Sequence, residues 1–160
     1  MDKIKNYSTY GLAYLLWAVS VVMGYWVVST VRTTVITLLV VSTIDRAESD
    51  ARERFYAGMQ VRAADVWSIV LMGLALIVII VLLENLYRTA VQPGKLWARF
   101  SLVTAIEFDL LFLARLTTAI LSGVVESLTW ANFVAPAALL VAAVLFYWLW
   151  VSIRKPKAAA

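Results

Sequence analysis

Along the chain, apolar residues come in runs too long and unbroken for a half-buried soluble helix, and most of the charge collects in the short segments between them. Four runs stand out, at about 10–31, 66–86, 100–122 and 131–151. Each approaches the ~20 residues an α-helix needs to cross ~30 Å of hydrocarbon. Helices are required because backbone within lipid must satisfy its own hydrogen bonds, and the uncharged stretch 66–83 lacks the alternation of a barrel strand. The expected fold is therefore all-α: a single domain over 1–160 with four transmembrane helices. Only about 123–130 separates the last two runs, which implies a tight antiparallel hairpin. The first run is too long for a signal peptide and Ser29-Thr30-Val31 offers no small-x-small cleavage pattern, so it is expected to stay in the mature chain.

The first run does not stop at Val31. It resumes after Arg32 and continues through Ile44, and 10–44 as one helix would measure about 52 Å, well beyond the hydrocarbon thickness. Two placements follow. The helix crosses at 10–31, with Arg32 at the outer headgroups and 33–44 projecting against another protein, or it crosses at about 20–42 with Arg32 deep in the bilayer. Either leaves apolar surface that needs a protein partner. The next segment, 45–65, is charged and predicted to form a short helical segment outside the membrane. Glu48 and Arg52, and Asp50 and Arg54, are spaced i,i+4 with the acid first, each pair worth only about 0.3–0.5 kcal/mol. Phe55, Met59 and Val61 give it a thin apolar edge.

Lysine and arginine placement sets the expected orientation. Lys3 and Lys5 precede the first run, Arg88, Lys95 and Arg99 fill the second loop around a Pro93-Gly94 turn, and Arg154, Lys155 and Lys157 follow the last run. The arginines of the first loop are offset by Asp45, Glu48, Asp50, Glu53 and Asp65. Both termini are thus expected on the cytoplasmic side of a prokaryotic cytoplasmic membrane. Tyr7, Tyr10, Tyr87, Trp97, Tyr147, Trp148 and Trp150 would flank the inner face and Trp67 and Trp130 the outer one, as interfacial aromatics do.

The third run contains the candidate chemistry. Glu107, Asp109 and Arg115 fall inside it, and each central charge costs about 2.5–3.5 kcal/mol against about 0.3–0.6 kcal/mol recovered per apolar residue. At about 100° per residue, Glu107 and Arg115 lie about 80° apart around the axis and about 12 Å apart along it, while Asp109 points about 160° from their midpoint. The third helix is therefore expected to be packed on two faces, with Arg32 a candidate partner for Asp109 and Glu84 or Arg88 for Glu107. On the fourth helix, Ala131, Ala135, Ala138 and Ala142 form a stripe suited to close helix packing. Ser20 with Gly24, and Ser101 with Ala105, repeat that spacing more briefly, and Pro136 reads as a helix-start residue.

Composition narrows the chemistry. The chain is 63% hydrophobic and 15% charged, carries a net charge of +4, and has no His and no Cys. Without imidazole or thiolate, haem, iron–sulfur, copper and zinc centres lose their usual ligands, and Ser-His, Cys-His and thiol-redox enzymes are excluded. No cofactor is expected, although a bound lipid or quinone fits the composition. The +4 reflects the inner-face bias and not nucleic-acid binding. Three functions remain. The first is a non-catalytic integral subunit that packs with other membrane proteins or copies of itself and stabilises a larger complex. The second is a small homo-oligomeric ion or proton channel or transporter using Glu107, Asp109 and Arg115. The third is a quinone- or lipid-binding membrane subunit, with Asp109 and a tyrosine for a quinone, or a membrane enzyme with Arg115 and hydroxyls on a lipophilic anion.

Overall fold

The computed structural model describes residues 2–44, 51–91, 95–125 and 129–154, and these are helical apart from short connecting turns. Four helices follow one another: α1 (Asp2–Ile44), α2 (Ala51–Arg88), α3 (Lys95–Val125) and α4 (Ala131–Arg154). Three contain spans long and apolar enough to cross a membrane, Ser8–Thr43 in α1, Arg52–Arg88 in α2 and Ala131–Arg154 in α4. α3 carries Glu107, Asp109 and Arg115 within its apolar run.

The helices stand in a row, in the order α2, α1, α3, α4. α1 packs against both α2 and α3, α4 packs on α3, and α2 barely meets α3. α1 runs antiparallel to α2, since Ser20 meets Tyr87 near one end and Arg32 meets Asp65 further along. It runs parallel to α3, with Gly24 beside Glu107 and Thr34 beside Ala114 and Thr118.

Arg32 does not interrupt α1, which at 43 residues measures about 64 Å. A mid-helix arginine is accommodated because α2 supplies its partners: Nη2 donates to Asp65 Oδ1 and Nε to Ser68 Oγ at 2.9 Å. The charged stretch after α1 likewise forms no separate helix over its described part. Residues 51–65 are the first turns of α2, which continues into the apolar run without a break. Glu48, Asp50, the Pro93-Gly94 turn and the tail from Lys155 lie outside the described residues.

α2 ends where Thr89 and Ala90 turn back on the carbonyls of Asn85 and Tyr87. Arg99 of α3 donates to the Leu86 carbonyl and to Thr89 Oγ1, so a cation satisfies the carbonyl end of the helix. Beside this closure sits a buried apolar cluster: Ala13 and Leu16 of α1, Leu83 and Tyr87 of α2, Ala90, and Leu96 of α3.

The α3–α4 contact is built differently. Phe146 stacks on Phe108 with ring centroids 5.8 Å apart and meets Phe100 edge-on at 6.3 Å. Pro136 and Ala143 are buried in the same face. α4 opens with short i→i−3 backbone bonds from Asn132 and Phe133 to the carbonyls of Thr129 and Trp130. Pro136 follows inside the helix, where its ring packs against α3 without ending α4.

Candidate functional site

The seam between α1 and α3 is lined by small and polar side chains. From α1 come Ser20, Gly24, Val27 and Thr34, and from α3 Thr104, Glu107, Leu111 and Ala114, all buried, as are Ser101 and Ala105 on the neighbouring stripe of α3. Small residues let the backbones approach, as the serine spacings suggest. At Gly24 an added Cβ would stand 3.2 Å from Ile79 Cγ2 and 3.7 Å from Glu107 Oε1, so the absent side chain leaves room for the carboxyl of α3 beside α2.

Polar groups gather at one level of this seam. Ser20 Oγ and Tyr87 Oη share a hydrogen bond of 2.8 Å, with Ser20 wholly buried and Tyr87 2% exposed. One step along lie Thr104, 1% exposed, and Glu107, 7% exposed. Thr104 Oγ1 and Glu107 Oε2 have no hydrogen-bond partner among the described residues. A buried polar atom without a partner costs about 1–3 kcal/mol, and more when it belongs to a charged group. The cluster thus combines a carboxyl, a phenol and hydroxyls, groups that hold a proton or a polar ligand, but it pairs no nucleophile with a base.

The three charges of α3 occupy different surroundings. Glu107 faces α1 and α2 in the buried seam. Asp109 is exposed and has no polar partner among the described residues. It belongs to an open stripe of otherwise apolar side chains, Ile106, Leu110, Leu113 and Ile120, recurring at helical spacing. Arg115 is also exposed and stands in the layer where Arg32 meets Asp65, because its neighbour Ala114 lies against Thr34. There it lines a groove of about 520 Å³ with Trp26, Ser29, Thr30, Thr33, Thr34 and Thr118.

The contacts foreseen for these residues take another form. Arg32 is engaged by Asp65 and Ser68, not by Asp109. Glu84 and Arg88 line a separate groove with Tyr10, Tyr14 and Trp17, while Ile79 of α2 and Glu107 of α3 both border the space at Gly24. On α4, Ala131, Ala135 and Ala138 are exposed and Ala142 is half-buried. The face that meets α3 is the neighbouring stripe, displaced by one residue or about 100°. Ser20, Tyr87 and Thr104 were not singled out from sequence as site residues. The i,i+3 recurrence of Ser101, Thr104 and Glu107 along one helix is the signal that marks them.

No cluster of potential metal-ligating side chains occurs among the described residues. The chain matches no known protein family, no curated protein and no solved structure at a significant level.

Proposed function

We propose that this chain is a non-catalytic integral membrane subunit that crosses the bilayer four times, with both termini on the cytoplasmic side, and stabilises a larger membrane assembly. The uncharged run of α2 supplies the ruler for this reading. It is bracketed by Asp65 and Glu84, about 28 Å apart along the helix, close to the hydrocarbon thickness. On that scale the Arg32–Asp65 layer and Arg115 stand at the outer headgroups, Arg88 and Arg99 at the inner ones, and Glu107 and Asp109 in the interior. Exposed Trp67 and Trp130 agree with the outer boundary, and exposed Tyr10, Trp97, Tyr147 and Trp148 with the inner one. The chain has no cysteine, so single-cysteine probes can read the topology directly. Ser8→Cys and Ser152→Cys should label only from the cytoplasmic side, and Thr129→Cys only from the other.

The observation that carries the assembly reading is Asp109. A carboxylate at mid-depth on an open apolar stripe costs about 2.5–3.5 kcal/mol unless something outside the chain covers it. A partner helix supplying a donor or cation offsets that cost. Purification in mild detergent with native mass measurement should therefore recover complexes, and Asp109→Leu should dissociate them. A stable monomer, identical before and after the substitution, would remove the support. If Asp109→Asn abolished ion flux in reconstituted vesicles and left the assembly intact, a conducting role would replace this one.

A further inference from the structure

A second groove, of about 930 Å³, opens between the start of α3 and the end of α4. Lys95, Arg99 and Arg154 line it together with Ala98, Leu102, Trp150 and Ile153, and no carboxylate belongs to it among the described residues. Two of the three cations are held in place. The Arg99 guanidinium is fixed through Nη1 on the Leu86 carbonyl and Thr89, and Arg154 lies over the Trp150 ring at 4.7 Å. That leaves Nε and Nη2 of Arg99 uncommitted among the described residues and Lys95 exposed. The acid of neighbouring α2, Glu84, belongs to the separate groove beside Tyr10 and Tyr14. Three like charges converging on one concavity repel one another and favour an anion between them.

We propose that Lys95, Arg99 and Arg154 form a binding site for a phosphate-bearing anion, occupied by the headgroup of an acidic phospholipid of the inner leaflet. The chemistry favours this occupant on three counts. Guanidinium groups match the oxygen geometry of phosphate. Leu102, Ile153 and the Trp150 ring provide an apolar wall along which an acyl chain can lie. Basic grooves between helices at the cytoplasmic boundary are where lipid headgroups of this charge bind. The inference rests on the membrane reading above but not on the assembly reading, so a chain that purified as a monomer would leave it standing.

The test uses the full chain in neutral detergent micelles. It is titrated with phosphatidylglycerol, phosphatidylcholine or inorganic phosphate, and bound ligand is counted by native mass spectrometry. Phosphatidylglycerol should bind in preference to phosphatidylcholine. Lys95→Gln and Arg154→Gln should each weaken it about five-fold, and the two together about thirty-fold. Arg62→Gln, which removes an exposed arginine elsewhere on α2, should change nothing. Arg99 is kept intact because it also closes the end of α2. If inorganic phosphate competes and shows the same dependence on Lys95 and Arg154, the site stands and its occupant is a free anion. Equal binding of both lipids, or phosphatidylglycerol binding unchanged in the folded single variants, would overturn the proposal. The single variants carry the test by themselves if the double variant does not purify.

Discussion

Removing the hydrogen bond between Ser20 and Tyr87 tests the polar seam where it is best defined. The two oxygens are 2.8 Å apart, link α1 to α2, and belong to side chains with almost no exposure. A neutral buried hydrogen bond contributes about 0.5–1.5 kcal/mol net, and removing one partner leaves the other to bear about 1–3 kcal/mol. Cycles in membrane proteins average about 0.6 kcal/mol with a maximum near 1.7. Full burial places this pair above the average. A serine within a helix can, however, turn its hydroxyl back to the carbonyl four residues earlier, which softens the loss when Tyr87 is changed. We expect Tyr87→Phe to cost about 1–2 kcal/mol, Ser20→Ala about 1 kcal/mol, and the pair to show a coupling energy of about 1 kcal/mol. The assay is reversible unfolding in mixed micelles, titrated with a denaturing detergent and followed by tryptophan fluorescence, on both single variants and the double variant. A coupling energy within the ~0.3–0.5 kcal/mol scatter of independent sites would refute the contact and with it the register of α1 on α2.

Other substitutions probe the neighbouring packing in the same assay. Leu111→Ala empties a fully buried position in the α1–α3 seam and should cost about 2–5 kcal/mol. Gly24→Ala should be nearly neutral, because a helix-propensity gain of about 1 kcal/mol offsets the few tenths of an ångström by which Ile79 must give way, whereas Gly24→Leu should wedge α1 from its neighbours and cost about 1–3 kcal/mol or more. Asp65→Asn should cost less than about 1 kcal/mol, since the Arg32 and Asp65 side chains are 28% and 47% exposed and water or headgroups can replace the pair.

The long apolar runs were legible because each exceeds what any soluble element requires, and the helices of the structure contain them. Helix continuity was harder to read. Arg32 looks like a boundary in a one-dimensional pattern, yet the groups that accommodate it, Asp65 and Ser68, lie more than thirty positions away. Nor do Glu53, Arg54 and Arg62 stop a helix; they make its first turns polar, so α2 starts well before its apolar run. The face of α4 that meets α3 could not be chosen from spacing alone. Adjacent stripes both offer small residues, and Phe146 between Phe100 and Phe108 selects the one containing Pro136 and Ala143. Glu107 and Asp109 stood out as charges in an apolar run, and helical geometry already turned them to different faces. That Glu107 would meet a glycine, with Tyr87 paired to Ser20, depended on the register of three helices, which no single segment encodes.

The row order also dictates how the protein can be built during synthesis. α1 and α2 meet as soon as both have emerged, and α3 and α4 form a second hairpin from consecutive sequence. α3 settles along α1 on the side where it also reaches α2, with Glu107 in the space at Gly24 beside Ile79 and Arg99 on the Leu86 carbonyl. Glu107 then finds its place only after Gly24 and Ile79 are already side by side. The early hairpin thus acts as a receptacle for the least lipid-compatible helix. A nascent chain arrested before Lys95 should already hold α1 against α2, while the α3–α4 hairpin expressed without that receptacle should insert poorly.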